Sequence, residues 1–289
     1  MTGRNLPEET VQMTKQAPVF NVGCVSYLNS KPLIEGLAET GAAKIDFRVP
    51  AMLLEGLESG ELDIALCPVV DYFRSATDLA IIPSGGIACA GNTLTVRLFS
   101  QVPLAEVTAV HADVESHTSV ALMQILMKKL YQKDVEVIPY NAGDHACGSG
   151  VAEKPETILL IGDKVVSSSP CGCKYTHQLD LGQAWWELTG KPFVFAVWMA
   201  RKGHSVGRLP ELLTQIQRYN DMRIDELAET FAPKHVWPIS LAKQYLSEIL
   251  HYTLGKPEFE GIKLFAQYAE ELQLIEKNKP LCVLAGRQF

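Results

Sequence analysis

The chain has 289 residues, 47% hydrophobic and 20% charged, with Gly 21 and Pro 16, so it is globular and long enough for about two domains. Lys+Arg 26 against Asp+Glu 33 leaves a net charge of −7, the wrong sign for a protein that works by neutralising phosphates. The longest apolar stretch, 193–200, falls far short of the ~20 residues that cross a bilayer, so the expected partner is a small molecule, not nucleic acid or membrane.

Residues 1–17 are polar and lack an apolar signal core, and are expected to form a disordered leader. The cysteines number 7, and Cys24, Cys67, Cys89 and Cys282 lie in apolar runs. Cysteine in that setting serves as a small buried hydrophobe, which points to free thiols in a reducing cytoplasm. A monomer or a homodimer is equally compatible with this composition.

In chain order, 18–25 is a nearly continuous apolar run of strand length, as in strands covered on both faces. Ser30 suits a helix N-cap and Pro32 the first turn that follows. A strand over 44–49 precedes a helix over 51–59 stopped by Gly60, and 62–67 is a third strand ended by Pro68. Such alternation predicts an open, mostly parallel sheet. Further strands are expected over 93–100 and 107–111, then a strong helix over 116–130. A second series follows, with strands over 135–139 and 157–161, a helix near 181–188 and a buried strand over 193–200. Beyond residue 209 the pattern is helical, over about 210–230, 240–253 and 258–275.

Two α/β sets in series predict two lobes with a cleft between them. The first is expected over 18–108 plus 200–289 and the second over 109–199, with the chain crossing near 100–110 and 190–200. Open α/β sheets bind ligands off the carboxyl ends of strands, at helix N-termini. That rule selects 26–31, 67–72 and 116–119.

Ser26-Tyr-Leu-Asn-Ser-Lys31 brings hydroxyls, an amide and an ammonium into one loop, and Ser116-His-Thr-Ser119 adds hydroxyl donors at a helix start. Plain capping explains either segment equally well. The carboxylates Asp63, Asp71 and Asp163 sit at strand ends, where they face a cleft or cap helices. Trp185, Trp186 and Trp198 are assigned to the core or to the seam between lobes. His145, Cys147, Cys171, Cys173 and His177 do not show the paired C-x₂₋₄-C spacing of zinc sites, so no metal is expected. No GxSxG, GxxxxGK[ST], HExxH or GxGxxG motif is present, and no nucleotide cofactor is expected.

The segments SYLNSKPL (26–33), LDIALCPVVDYFR (62–74), TLTVRLFS (93–100), HTSVAL (117–122), ILLIGDKV (158–165), DLGQAWWELTGKPFVFAVW (180–198) and ILHYTLG (249–255) occur in an order that resembles the chorismate dehydratases of the futalosine route to menaquinone. The resemblance spans roughly 19–277. It implies a type II periplasmic-binding-protein-like fold, a two-lobed α/β architecture with an interlobe cleft. It also implies a cofactor-free hydro-lyase that converts chorismate to 3-[(1-carboxyvinyl)oxy]benzoate. Carried over residue by residue, it makes Asn29 and Thr95 catalytic, Thr95 standing where the family tends to have serine. Ser26, Tyr27, Ser30, Lys31, Pro68, Val69, Ser116, His117, Thr118, Ser119, Gly162 and Asp163 become substrate-binding, with His117 where the family often has arginine. The 141–156 and Cys171-Gly-Cys173 segments depart from the family pattern. A non-catalytic carboxylate-binding protein and a 1,4-dihydroxy-6-naphthoate synthase-like enzyme are the rival readings on the same fold.

Overall fold

The computed structural model describes residues 19–113, 116–140, 155–167, 169–170 and 172–284. The 1–17 segment, His145, Cys147 and Cys171 therefore lie outside the described residues. The chain runs β1 (Phe20–Cys24), α1 (Lys31–Ile34), β2 (Ala43–Phe47), α2 (Pro50–Ser59), β3 (Ile64–Pro68), α3 (Val69–Arg74), β4 (Leu79–Cys89) and β5 (Val96–Ser100). It continues through β6 (Ala109–Asp113), α4 (His117–Tyr131), β7 (Glu136–Tyr140), β8 (Thr157–Ile161), α5 (Lys164–Ser167), β9 (His177–Asp180), α6 (Leu181–Thr189) and β10 (Phe193–Arg201). The last part comprises α7 (Leu209–Asp221), α8 (Ile224–Phe231), α9 (Ile239–Gln244), β11 (Leu250–His251) and α10 (Lys256–Glu271).

The strands form two sheets, ordered β11-β4-β10-β3-β1-β2 and β7-β6-β8-β5-β9. β1 pairs in parallel with β2 and β3, which explains its unbroken apolar run. The sheets are mixed rather than mostly parallel, because β10 runs antiparallel to β3 and β4, and β5 antiparallel to β8 and β9. Two strands also sit on the other side of the expected crossings. Val96–Ser100 pairs in the second sheet and Phe193–Arg201 in the first, so the chain passes over in 90–95 and returns through α6.

The unanticipated strand β4 carries Pro83, Gly85 and Gly86, residues that normally signal a turn. Its partner tolerates them: Ile82 faces Trp198 and Gly86 faces Val197, so 83–85 bulge out of the ladder. The expected helix over 210–230 is broken between α7 and α8. There the buried Asn220 donates to the carbonyls of Pro32 at 3.1 Å and Glu35 at 2.9 Å, satisfying the end of α1. The expected helix over 240–253 is α9, a π-helical turn over Tyr245–Ile249 and the short β11.

Trp185 and Trp198 are fully buried, whereas Trp186 is exposed rather than in a core or seam. Trp185 packs edge-on against Phe193, Phe265 and Tyr268 at centroid distances of 5.3, 6.4 and 6.0 Å. These rings tie α6 and α10 to β10, each aromatic pair adding about 0.5–1.5 kcal/mol beyond its area. Cys24, Cys67 and Cys89 are buried free thiols, Cys282 is half-buried and Cys173 is exposed. No helix among the described residues is long and apolar enough to cross a membrane, and no group of three or more metal-ligating side chains is found among them.

Candidate functional site

A cleft lies between the sheets, lined by residues of both. Its wall is mostly apolar, built from Val25, Leu66, Ile87, Ile161, Phe195 and Leu250, with a few polar groups set into it. Those groups come from four places: the loop after β1, the crossing 93–95, the start of α4 and the π-helical turn.

The loop after β1 supplies Tyr27 and Asn29. Ser30 lies beneath them and does not act as a side-chain cap for α1. Its hydroxyl instead sits 2.9 Å from the Val25 carbonyl and 2.8 Å from the Tyr27 carbonyl, folding the loop on itself. Asn29 Nδ2 donates to the Tyr245 hydroxyl at 3.3 Å, while its Oδ1 is buried without a partner. An orphan acceptor of this kind costs about 1–3 kcal/mol until a donor reaches it.

The crossing 93–95 is held by Asp180. This carboxylate accepts from the backbone N–H of Thr93 and of Leu94, both at 2.9 Å, and from Gln183 N–H at 3.0 Å as the N-cap of α6. Leu94 has φ +63°, a strained conformation for a γ-branched residue, and the two carboxylate bonds hold it there. Gly182 completes the junction, since a Cβ at this position would come within 2.6 Å of Cys89 Sγ and the Gly91 carbonyl. The Asp180-Leu-Gly182 triplet thus locks the segment that presents Thr95. Thr95 Oγ1 lies 2.8 Å from the Tyr245 hydroxyl, and its carbonyl accepts from Gly162 N–H at 2.8 Å.

Tyr245 is therefore the hub joining Asn29 and Thr95. Burial pushes its phenol well above the ordinary tyrosine range, against the hydrogen bonds from Thr95 and Asn29, so it stays a neutral hydroxyl. The ring of Trp237 stacks on it, with centroids 4.9 Å apart and planes at 29°.

Ser116 and Ser119 bring the start of α4 to the cleft. Ser116 caps the helix, accepting from Ser119 N–H, and the two hydroxyls lie 3.0 Å apart. The first-turn N–H groups and the dipole of this 15-residue helix give the wall its favourable end for an anion.

Of the expected site residues, Tyr27, Asn29, Pro68, Thr95, Ser116, Ser119 and Gly162 line the cleft. Ser26, Ser30, Lys31, Val69, His117, Thr118 and Asp163 are not part of its wall. Lys31 Nζ lies over the rings of Phe47 and Phe231, at 5.3 and 4.9 Å, which takes its charge away from the cleft. Thr118 is buried, and its hydroxyl accepts from Val70 N–H at 3.2 Å, fastening α4 to α3. His117 Nδ1 sits 2.8 Å from Asp71 Oδ1, across the same seam. Asp71 is buried with Oδ2 unpartnered, so it neither faces the cleft nor caps a helix. Asp63 bonds to Asn21 N–H and to His204 Nε2, both at 2.8 Å, and is structural. Asp163 binds His235 and Trp237.

Sequence reasoning missed Thr93, Tyr245 and Phe195. Tyr245 lies 150 positions from Thr95 on a stretch that reads as an ordinary helix, and no local signal marks it.

A family model described as menaquinone biosynthesis matches residues 20–271. The chain is 29% identical over 268 residues to a protein of Thermus thermophilus named chorismate dehydratase, covering 86% of this chain and 94% of that one. Among solved structures it is similar to the periplasmic aliphatic sulphonate binding protein of Escherichia coli, with TM-score 0.61, 14% identity and 94% and 95% of the two chains covered. It is also similar to a Candida albicans protein with the generic periplasmic binding protein fold, with TM-score 0.62, 11% identity and 91% and 92% covered. These two likenesses establish the two-lobed periplasmic-binding-protein-like fold. With most of its length matched by the family model, the chain belongs to the menaquinone biosynthesis family.

Proposed function

We propose that this chain is a chorismate dehydratase, a hydro-lyase that removes water from chorismate to give 3-[(1-carboxyvinyl)oxy]benzoate. The observation that carries the reading is the Thermus thermophilus relative, similar over most of both chains. The cleft is consistent with it in the character of its polar groups. Its place is the futalosine route to menaquinone, and the buried free thiols favour the reducing cytoplasm as the compartment.

The reaction takes a proton from the ring carbon bearing the enolpyruvyl ether and hydroxide from its neighbour, and aromatisation drives it. Chorismate brings two carboxylates to a protein of net charge −7, so attraction must be local. The start of α4, with the Ser116 and Ser119 hydroxyls, is the anion end of the cleft. Asn29 Oδ1, buried and unpartnered, suits the substrate hydroxyl as donor. Thr95 stands beside it through the shared Tyr245 hydroxyl and supports the same oxygen as it leaves.

The polar side chains of the wall are an amide, hydroxyls and two phenols, that of Tyr245 held neutral by burial, and none of these types is a competent base near neutrality. A carboxylate of the substrate takes the proton, and the protein contributes orientation, which is worth roughly 7–11 kcal/mol in favourable cases.

The test is direct. Purified protein incubated with chorismate gives a product lighter by one water with benzoate-type absorption. Thermal stabilisation by chorismate without product would make this a binding protein, and neither effect would point to a different carboxylate such as the cyclised intermediate of the naphthoate synthases.

A further inference from the structure

The geometry points to Asp163 as a positioning residue for this dehydration, acting through Asn29 and Tyr245 without touching the substrate. The inference rests on the function proposed above. Asp163 follows Gly162 at the end of β8, in the second sheet, yet its carboxylate gathers donors from the other side of the cleft. Oδ2 lies 2.8 Å from His235 Nδ1, and Oδ1 accepts from Trp237 Nε1 at 3.1 Å.

Trp237 stacks on Tyr245, whose hydroxyl holds Asn29 Nδ2 and Thr95 Oγ1. The contacts close a ring: Asp163, Trp237, Tyr245, Thr95, Gly162 and, along the chain, back to Asp163. Gly162 closes it by donating its N–H to the Thr95 carbonyl at 2.8 Å. A closed ring across a cleft sets the spacing of its two walls, whereas an open chain of contacts would leave one wall free to shift.

Burial works against the Asp163 charge and raises its pKa, with the His235 pairing opposing. Desolvation thus offsets much of what the pairing contributes to stability, and the group's effect is expected in turnover. A displacement of about 1 Å at the reacting groups can cost about a hundredfold in rate.

The experiment is steady-state kinetics on chorismate for wild type, Asp163→Asn, Trp237→Phe and the double variant. Asp163→Asn keeps one oxygen for Trp237 but loses the second that meets His235, and Trp237→Phe keeps the stack on Tyr245 while deleting the N–H. The expected result is a kcat lowered about tenfold or more by Asp163→Asn and about threefold or more by Trp237→Phe, with KM within about threefold. The double variant should be no slower than Asp163→Asn, because both act in one ring. A kcat that stays at the wild-type level, a rise in KM alone, or additive losses would each overturn the proposal. If Asp163→Asn does not fold, Trp237→Phe decides by the same criteria. A wild type that leaves chorismate unchanged instead defeats the functional reading, and the inference with it.

Discussion

At Asn29 the two ends of one amide are treated differently. Nδ2 is held by Tyr245, and Oδ1 is buried with nothing to accept from. Because the site already contains this unmet acceptor, a substrate hydroxyl that fills it gains more than a surface hydrogen bond would. Replacing Asn29 by Ala removes both roles, and loss of a preorganised polar group of this kind typically costs about 10²–10³ in kcat. Turnover of chorismate by Asn29→Ala is expected to fall by that order while the protein stays folded, and near-wild-type turnover would refute the assignment. The loop itself was legible from its residue types, an amide and hydroxyls between a strand and a helix. The buried orphan was not, because it depends on Tyr245 supplying a partner for one end only. Lys31 illustrates the opposite error: its charge looks available in the sequence, but Phe47 and Phe231 claim it.

Among the elements, α4 was the clearest in the sequence, with hydroxyls before an apolar stripe and lysines in its last turn, and the structure gives His117–Tyr131 with Ser116 as cap. Its start carries two functions at once, fastening to α3 through Thr118 and offering its dipole to the cleft. Ser116→Ala is expected to cost about 1 kcal/mol of stability through the lost cap. It should also raise KM for chorismate, because a cleft hydroxyl goes with it. Denaturant melts and initial rates check the two effects, and a stability loss with unchanged KM would remove this helix start from the anion end. The opposite case is the π-helical turn that opens at Tyr245, whose hydroxyl lies 2.8 Å from Thr95 Oγ1. A π-helical turn has no composition of its own, which is why it is read as plain helix.

For the molecule as a whole, stability is coupled to pH through buried thiols. Burial raises Cys24 and Cys89 from 9.0 to about 12, so the folded state binds these protons more tightly than the unfolded chain does. Their contribution is intact below about 9 and drains away as pH rises toward 12, by about 1.4 kcal/mol per thiol per pH unit. Unfolding free energy measured in denaturant from pH 7 to pH 10 should therefore fall above pH 9, and more gently in Cys89→Ala. Equal slopes in the two proteins would show that Cys89 is not protected as described. The two thiols matter as a pair because each plugs the first sheet close to the cleft, Cys24 below the Asn29 loop and Cys89 against Gly182.

The sequence by itself determined the α/β class, the two-lobed plan, most strand and helix positions, and two of the segments that line the cleft, the loop after β1 and the start of α4. These follow from local periodicity, capping and punctuation, which act over a few residues. Only the tertiary structure decided which sheet β5 and β10 join, that β4 is a strand despite Pro83 and two glycines, and that Asp163 faces His235 and Trp237 rather than ligand. It also decided that Tyr245 stands between Asn29 and Thr95. Each of these outcomes depends on a partner more than 50 residues away, where pairing, bulging and donor geometry are set by the packed chain and leave no mark in the local pattern.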